Sequence, residues 1–224
     1  MTIETDTEIG ASEAERPLRA DAARNRELIL ETAALVFAEQ GLDAGYDEIA
    51  RRAGIGVGTV YRRFPERAEL IQALFESRIS EIVDLAEQAS AMPVAFEGLS
   101  WFLEQAMAHQ VADRGLKEVL VQTIDPDAHR TIGRDRLGPF MESMISRAKA
   151  DGALRDDVEM TDIGMQLMMI SSIHTPTEPE LWRRYLALLL DGLRARPDVA
   201  RLPLTAPPDE AMHDLMCNLH GRRA

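Results

Sequence analysis

Residues 47–64 restrict the fold of this chain more than any other stretch. Apolar side chains recur at helical spacing over 47–53 and again over 57–64, which predicts two short helices. Gly54 and Gly56 lie between them, and glycine adopts backbone angles that other residues avoid. Two helices joined by so short a turn form a helix-turn-helix, whose second helix can enter the major groove of DNA.

The same stretch carries a recognisable set of motifs. They are Ile49-Ala50, Ala53-Gly54-Ile55-Gly56, Gly58-Thr59-Val60-Tyr61-Arg62-Arg63-Phe64 and Arg67. Together they resemble the signature of the tetracycline-repressor (TetR) family of bacterial transcriptional regulators, and the likeness covers roughly residues 24–78. The resemblance implies an all-α chain with an N-terminal three-helix DNA-binding domain. It also implies a larger C-terminal helical domain that binds a small molecule and forms a homodimer.

The ends of these helices depart from the family pattern. The connection 42–46 is one residue shorter than usual and lacks a hydroxyl at the start of the next helix. Asp43 or the backbone of Gly45 therefore has to cap that helix. Gly56 replaces the serine or threonine that usually caps the second helix, and Glu66 replaces another small capping residue. Glycine is an acceptable cap that costs only a few tenths of a kcal/mol.

Polar and basic side chains of the second helix are the predicted DNA contacts. An arginine can hold a phosphate or grip a guanine with two hydrogen bonds, so Arg62 and Arg63 can determine which operator is bound. We assign base reading to Thr59 together with these arginines. The resemblance implies phosphate contact for Tyr61 and Arg67. Arginines of the preceding helix are further candidates for phosphate contact. The complete predicted set is Arg51, Arg52, Thr59, Tyr61, Arg62, Arg63 and Arg67.

The net charge of −13 is unusual for a protein that binds nucleic acid, so its distribution matters. Residues 1–15 contain five acidic residues and no basic ones, whereas residues 16–80 contain ten of each. The acidic excess therefore lies outside the predicted DNA-binding segment. Because salt screens charges beyond roughly 8–10 Å, the local balance counts for more than the total.

The rest of the chain is also predicted to be helical, because no part of it keeps the alternating period of a strand. Residues 1–18 are acidic and aperiodic, which predicts a disordered tail. We assign residues 19–78 to the DNA-binding domain and 79–224 to the ligand-binding and dimerisation domain. The other predicted helices are 21–40, 67–88, 94–111, 115–123, 127–151, 161–173 and 178–194, with a short last helix around 212–219.

The C-terminal half contains most of the chain's 11 methionines. Flexible thioether side chains adapt to irregular ligands, although they also fill ordinary cores. Aromatic and polar residues of the same half could add walls and anchors to a small-molecule site. The predicted ligand contacts are Trp101, Phe102, His109, Gln122, Phe140, Met141, Met144, Met168 and His174. The identity of the ligand is left open.

The segment 178–194 has a wider apolar face than one core contact needs. Its two adjacent stripes are Trp182, Leu186, Leu189 and Leu193 on one side, and Leu181, Tyr185 and Leu188 on the other. Such a face predicts packing against a second copy, although burial within one subunit would also explain it. The segment also resembles the dimerisation helix of many family members. A second interface helix is predicted from Asp127 to Ala150.

The end of the chain has a residue pattern that also fits a metal site. His213, Cys217 and His220 recur at helical spacing and could hold zinc or copper, but an amphipathic helix end explains the same pattern. No cofactor is predicted, because the glycines at 54–58 lack the preceding strand of a dinucleotide loop. A single cysteine, with no apolar run of membrane-spanning length, suits a cytoplasmic protein that does not bind membranes.

Two functions compete with that of a repressor released from a palindromic operator by a small molecule. One is a helical enzyme or small-molecule carrier that no longer binds DNA, and the other is a dimeric interaction module. An enzyme needs a convergent catalytic set, and the sequence offers none. Arginine at positions 62, 63 and 67 argues against lost DNA binding. A regulator that activates rather than represses has the same sequence features.

Overall fold

The computed structural model describes residues 9–112, 133–173 and 177–208, and every regular element in these ranges is helical. This confirms the predicted all-α fold. A π-helical turn over Gly133–Leu137 leads into the sixth of the helices described. In chain order, these helices are α1 (Ile9–Gln40), α2 (Tyr46–Ala53), α3 (Val57–Arg63), α4 (Arg67–Ser90), α5 (Ala95–Ala112), α6 (Gly138–Ala150), α7 (Met160–Ser172) and α8 (Leu181–Leu193).

The described residues divide into two compact units, and the division falls within α4 between Ser77 and Arg78. The N-terminal unit contains α1 to α3 and the first part of α4. The C-terminal unit contains the described residues from Arg78 onward. None of the described helices combines the length and apolar character that a membrane span needs.

The core of the N-terminal unit is built on the apolar stripe of α1. Its members Ile29, Ala33, Val36 and Phe37 recur at helical spacing, and all are fully buried. Gly41 ends the helix, as expected of a C-terminal glycine, with a positive φ of 81°. The buried residues contributed by α2, α3 and α4 include Ile49, Val60, Leu70 and Leu74.

The start of α1 differs from the prediction. The helix begins at Ile9 rather than at Asp21, so part of the segment interpreted as a disordered tail is helical. Residues 11–16 include alanine, glutamate and arginine, which are good helix formers. The high acidic content of this segment therefore does not distinguish a disordered tail from a helix. The predicted helix at 115–123, residues 127–132 and the terminal segment with His213, Cys217 and His220 lie outside the described residues.

In the C-terminal unit, α5 packs against α6, and α7 and α8 complete the helical core. The turn after α4 is held by Arg147 of α6. Its guanidinium donates to the carbonyl oxygens of Ser90 at 2.6 Å and Met92 at 2.8 Å. The last carbonyls of a helix have no partner within the helix, so the arginine supplies the missing donors. Fully buried members of this core include Leu99, Leu103, Met107, Met144, Leu154 and Ile163.

Two chain segments of the C-terminal unit are joined after α6 and α8. Leu154 and Arg194 form an antiparallel bridge, in which the Arg155 N–H donates to the Leu193 carbonyl at 3.0 Å. Arg155 also binds Asp157 with two hydrogen bonds of 2.9 Å. Asp157 accepts a third from the N–H of Leu202 at 2.8 Å, which attaches the segment after α8.

Gly98 allows α5 to approach the end of α4 closely. A Cβ atom at this position would lie 2.4 Å from the main-chain oxygen of Ala89 and 3.4 Å from Cβ of Met92. A backbone oxygen cannot move aside as the end of a flexible side chain can. Glycine is therefore required here by the packing of two backbones rather than by its φ angle.

We expect Gly98→Ala to lower the free energy of unfolding by about 1–3 kcal/mol, the usual cost of overpacking a core. Urea unfolding followed by circular dichroism measures this change. Glu97→Ala is the control, because residue 97 is exposed on the same helix and the substitution should change stability by no more than about 0.5 kcal/mol. Equal stability of Gly98→Ala and the wild type would contradict the close approach.

Candidate nucleic-acid interface

The first helix of the predicted helix-turn-helix, α2, begins without help from a side chain. Gly45 is its N-cap, with extended backbone angles (φ −73°, ψ 155°) and no side-chain hydrogen bond. The Gly45 carbonyl accepts from the N–H groups of Glu48 at 3.2 Å and Ile49 at 3.4 Å. Of the two predicted possibilities, the cap is therefore the Gly45 backbone and not Asp43.

The turn between α2 and α3 depends on Gly54. Its φ of 68° and ψ of 27° lie in the left-handed region, which other residues enter only at a cost. In this conformation the N–H of Ile55 reaches the carbonyl of Ala50 at 3.1 Å and closes the end of α2. Gly56 then caps α3 with extended angles and no side-chain hydrogen bond, as the missing hydroxyl predicted.

The helix α3 is anchored by its second half. Val60 is fully buried, and Phe64, directly after the helix, is 5% exposed. Both belong to the apolar pattern over 57–64 that predicted this helix, and both point inward. The polar residues between and before them face outward: Tyr61, Arg62 and Arg63 are exposed and Thr59 is half-buried. The helix therefore presents these polar side chains to solvent.

Arg62 and Arg63 are available to bind another molecule. Within the described part of the chain, neither guanidinium makes a hydrogen bond or an ion pair. Both lie in the last turn of α3, beside the buried anchors of the helix. Two unpaired guanidinium groups on a rigidly anchored helix form a surface that can bind phosphate oxygens or the edges of bases.

Tyr61 lies against a second tyrosine that the sequence did not single out. The ring of Tyr46 packs on the ring of Tyr61 with centroids 4.9 Å apart and an angle of 59° between the planes. Tyr46 is 6% exposed, and Tyr61 is 55% exposed. The buried ring therefore limits the positions open to the exposed one. Burial also raises the pKa of Tyr46, and its hydroxyl has no hydrogen-bond partner among the described residues.

Arg67, predicted to contact phosphate, points into the N-terminal unit. Its guanidinium donates to the carbonyls of Leu42 and Ala44, the latter at 2.8 Å. It also lies over the rings of Phe37 and Tyr46, 5.9 Å from each centroid. These contacts connect α1, the shortened 42–46 connection and the start of α4. Arg67 holds together the frame on which α2 and α3 are placed.

Arg51 and Arg52 of α2 are both paired with acidic residues. Glu48 accepts two hydrogen bonds from Arg51, at 2.7 and 2.8 Å, and one from Nε of Arg52 at 2.7 Å. The Nη2 atom of Arg52 is 2.7 Å from Oε2 of Glu39 on α1. The hydrogen bonds from the two arginines lower the pKa of Glu48 to about 2. This quartet of side chains carries no net charge at neutral pH.

The predicted ligand contacts are only partly brought together in the C-terminal unit. The same apolar core contains the buried Phe102, Met141 and Met144, with Trp101 and Phe140 packed against it. His109 instead lies near the surface, with Nδ1 3.9 Å from Glu81, and Met168 is half-buried on α7. Gln122 and His174 are outside the described residues.

Sequence reasoning missed one polar atom of this core. The indole N–H of Trp182 on α8 is buried and has no hydrogen-bond partner among the described residues. The sequence showed this tryptophan only as one member of an apolar stripe. No group of three or more histidine, cysteine or acidic side chains within residues 9–112, 133–173 and 177–208 is arranged to hold a metal.

Family models match both parts of the chain. The model for bacterial regulatory proteins of the tetR family matches residues 29–74, from the last part of α1 to the first part of α4. A second model, for the C-terminal domain of SbtR-like transcriptional regulators, matches residues 94–195. The matched ranges include the helix-turn-helix and the helical core of the C-terminal unit.

Characterised relatives cover much of the chain as well. The HTH-type transcriptional repressor KstR of Mycolicibacterium smegmatis is 31% identical over 153 residues, which make up 64% of this chain and 72% of that protein. The HTH-type transcriptional regulator SrpR of Pseudomonas putida is 27% identical over 199 residues, 84% of each chain.

A solved structure matches the fold. The crystal structure of a TetR transcription regulatory protein from Mycobacterium vanbaalenii has 35% sequence identity and a TM-score of 0.61, and the match covers 80% of this chain and all of that one. These relatives are transcriptional regulators and not enzymes. Regulators of this type bind DNA operators, dimerise and bind small molecules. With its helix-turn-helix and both family models matched, the chain belongs to the TetR family of bacterial transcriptional regulators.

Proposed function

We propose that this regulator is a cytoplasmic homodimeric repressor that leaves a near-palindromic operator when a small molecule binds its C-terminal unit. The observation that carries the DNA-binding part is the polar face of α3. There the exposed Arg62 and Arg63, which have no partner among the described residues, lie beside the buried Val60 and Phe64. Two copies related by a two-fold axis insert their α3 helices into successive major grooves. The centres of these helices then lie about 34–36 Å apart.

The structure supports a revised division of roles among the predicted DNA contacts. Thr59, Arg62 and Arg63 read bases, since they share the outward face of α3. Tyr61 contacts phosphate. Because its ring packs on Tyr46, it already has few orientations in the free protein and loses little freedom on binding. Arg67 is a positioning residue in this proposal, because its guanidinium is engaged with main-chain carbonyls.

We assign dimerisation to α8 together with α7. On α8, Leu188 is 59% exposed and Tyr185 is 40% exposed, which leaves part of the predicted apolar face uncovered within the subunit. On α7, Met169 is 50% exposed and Met165 and Met168 are half-buried. Apolar side chains on two neighbouring helices give a second copy a broad surface to bury.

The second interface helix predicted from the sequence, from Asp127 to Ala150, is not part of this proposal. Of the apolar residues that motivated it, Met141, Met144, Ile145 and Ala148 are buried within the subunit's own core, and the partly buried Leu137 packs against that core. A residue that is covered inside its own chain has little surface to offer a partner. The exposed methionine-bearing face of α7 therefore replaces this helix in the proposal.

The proposed ligand site lies in the core that contains Phe102, Met141 and Met144. The N–H of Trp182, which has no partner among the described residues, would donate to an acceptor oxygen of the ligand, since a buried donor without a partner carries an energetic cost. Ligand binding changes DNA affinity only if the ligand prefers one arrangement of the dimer. A shift from 1:99 to 99:1 between two arrangements needs a preference of about 5.5 kcal/mol.

The base-reading role predicts a position-dependent loss of specificity. We expect Arg62→Ala or Arg63→Ala to reduce discrimination at one base pair by roughly 1–3 kcal/mol, if that arginine holds a guanine with two hydrogen bonds. Mobility-shift titrations of the DNA flanking the protein's own gene, with single base-pair changes and at fixed salt, measure this effect. Arg201→Ala, an exposed arginine of the C-terminal unit, is the control. Uniform weakening on every sequence would assign the arginine to phosphate.

The interface proposal predicts that a charge on α8 separates the subunits. Leu188→Glu should yield monomers, because a carboxylate buried against an apolar partner has to be desolvated. Light scattering coupled to size exclusion gives the molar mass. Leu204→Glu alters a residue that is 83% exposed outside both interface helices and should leave the dimer intact. A dimeric Leu188→Glu protein of unchanged dissociation constant would contradict this interface.

The positioning role of Arg67 predicts a loss of stability. Arg67→Ala leaves the carbonyls of Leu42 and Ala44 without their donors and should lower the free energy of unfolding by about 1–3 kcal/mol. Urea unfolding measures this loss. Arg63→Ala removes an arginine that is unpaired among the described residues and should leave stability nearly unchanged. An Arg67→Ala protein of wild-type stability and weakened DNA binding would restore the phosphate role.

A further inference from the structure

We infer that Glu48 is a specificity-determining residue, whose carboxylate occupies Arg51 and Arg52 in the free protein and thereby weakens binding to non-operator DNA. This inference rests on the proposed DNA-binding function. It assigns a role to an acidic side chain that lies on α2, the helix preceding α3 in the helix-turn-helix.

The geometry of the Glu48–Arg51 pair is that of a phosphate contact. Nε and Nη2 of Arg51 donate to the two carboxylate oxygens at 2.8 and 2.7 Å, so both parallel positions of the guanidinium fork are filled. Arginine binds phosphate through the same fork. A DNA phosphate that approaches Arg51 has to compete with an anion that is already bound in the preferred arrangement.

Arg52 is occupied more completely than Arg51. Its Nε donates to the Glu48 carboxylate at 2.7 Å, and its Nη2 lies 2.7 Å from Oε2 of Glu39. The Arg52 side chain is 28% exposed, whereas that of Arg51 is 69% exposed. Removing Glu48 therefore frees Arg51 fully and leaves Arg52 with one carboxylate partner. We therefore expect Arg51 to become the additional phosphate contact when Glu48 is removed.

The consequence differs between operator and other DNA. Non-specific binding comes from the neutralisation of phosphates by basic side chains. An arginine that is paired with a carboxylate therefore contributes less to the non-specific affinity. Base reading by Arg62 and Arg63 does not depend on Glu48, because neither arginine is paired within the described residues. Glu48 thus lowers the sequence-independent part of the affinity more than the sequence-dependent part. The result is a larger ratio of specific to non-specific binding.

The test compares Glu48→Gln with the wild type on a short random-sequence duplex over a range of salt concentrations. Fluorescence anisotropy gives the affinity, and its logarithm against the logarithm of salt concentration gives a slope. We expect tighter binding and a slope steeper by about 0.9 for each arginine that gains a phosphate. Asp47→Asn is the matched control, since it removes one negative charge from an exposed neighbour that is unpaired among the described residues.

A double variant separates the freed arginine from a general change in charge. In Glu48→Gln with Arg51→Gln, the slope should return toward that of the wild type. The inference is overturned if Glu48→Gln leaves the slope unchanged, if Asp47→Asn steepens it equally, or if the double variant keeps the steeper slope. Circular dichroism of each variant shows whether the helices are retained.

Operator DNA distinguishes failure of this inference from failure of the proposed function. If the wild type binds the DNA flanking its own gene no better than the random duplex, the result contradicts that choice of operator or the proposed DNA-binding function, and not the role of Glu48. If it binds specifically, Glu48→Gln should reduce the ratio of specific to non-specific affinity. An unchanged ratio would overturn the role of Glu48 while leaving the proposed function intact.

Discussion

The arrangement of the helix-turn-helix depends on the guanidinium group of Arg67. This residue begins α4, yet it donates to carbonyls that lie 25 and 23 positions earlier in the chain. Those carbonyls belong to a connection that is not helical and therefore needs other donors. Because arginine has a fixed fork of donors, one side chain can satisfy both. The same guanidinium lies over Tyr46, whose ring supports the exposed Tyr61.

The C-terminal unit uses an arginine in a similar way. Arg147 binds the carbonyls at the end of α4, 57 and 55 residues before it, while Gly98 permits the close approach of α5. In each unit a side chain from a distant helix fixes a short connection. The connections are therefore held by tertiary contacts more than by their own sequence.

Helical spacing was sufficient to predict the frame of the site but not its electrostatics. The four-residue interval between Val60 and Phe64 correctly gave the buried side of α3, and with it the exposed position of Arg62 and Arg63. The pairs of Glu48 with Arg51 and Arg52 have spacings of three and four, which favour contact on a helix and could have been predicted. The contact of Arg67 with Ala44 has no such local signal.

The second interface helix shows a different limit of sequence reasoning. Periodicity showed that Met141, Met144 and Ile145 share one face, and the structure agrees that this face is apolar and covered. It did not show whether the cover comes from the same chain or from another. That distinction depends on which helices neighbour each other in space. No single segment of the sequence contains the information about which helices become its neighbours.

The glycine caps of α2 and α3 have a consequence for motion. The N-caps Gly45 and Gly56 have no side chain to hold the first-turn N–H groups, and α3 is only 7 residues long. Short helices are marginal on their own and rely on packing. In α3 that packing comes from Val60 and Phe64, toward its end. Fraying should therefore begin at Gly56, and amide hydrogen exchange should be fastest in the first turn, while the turn that carries the arginines stays ordered.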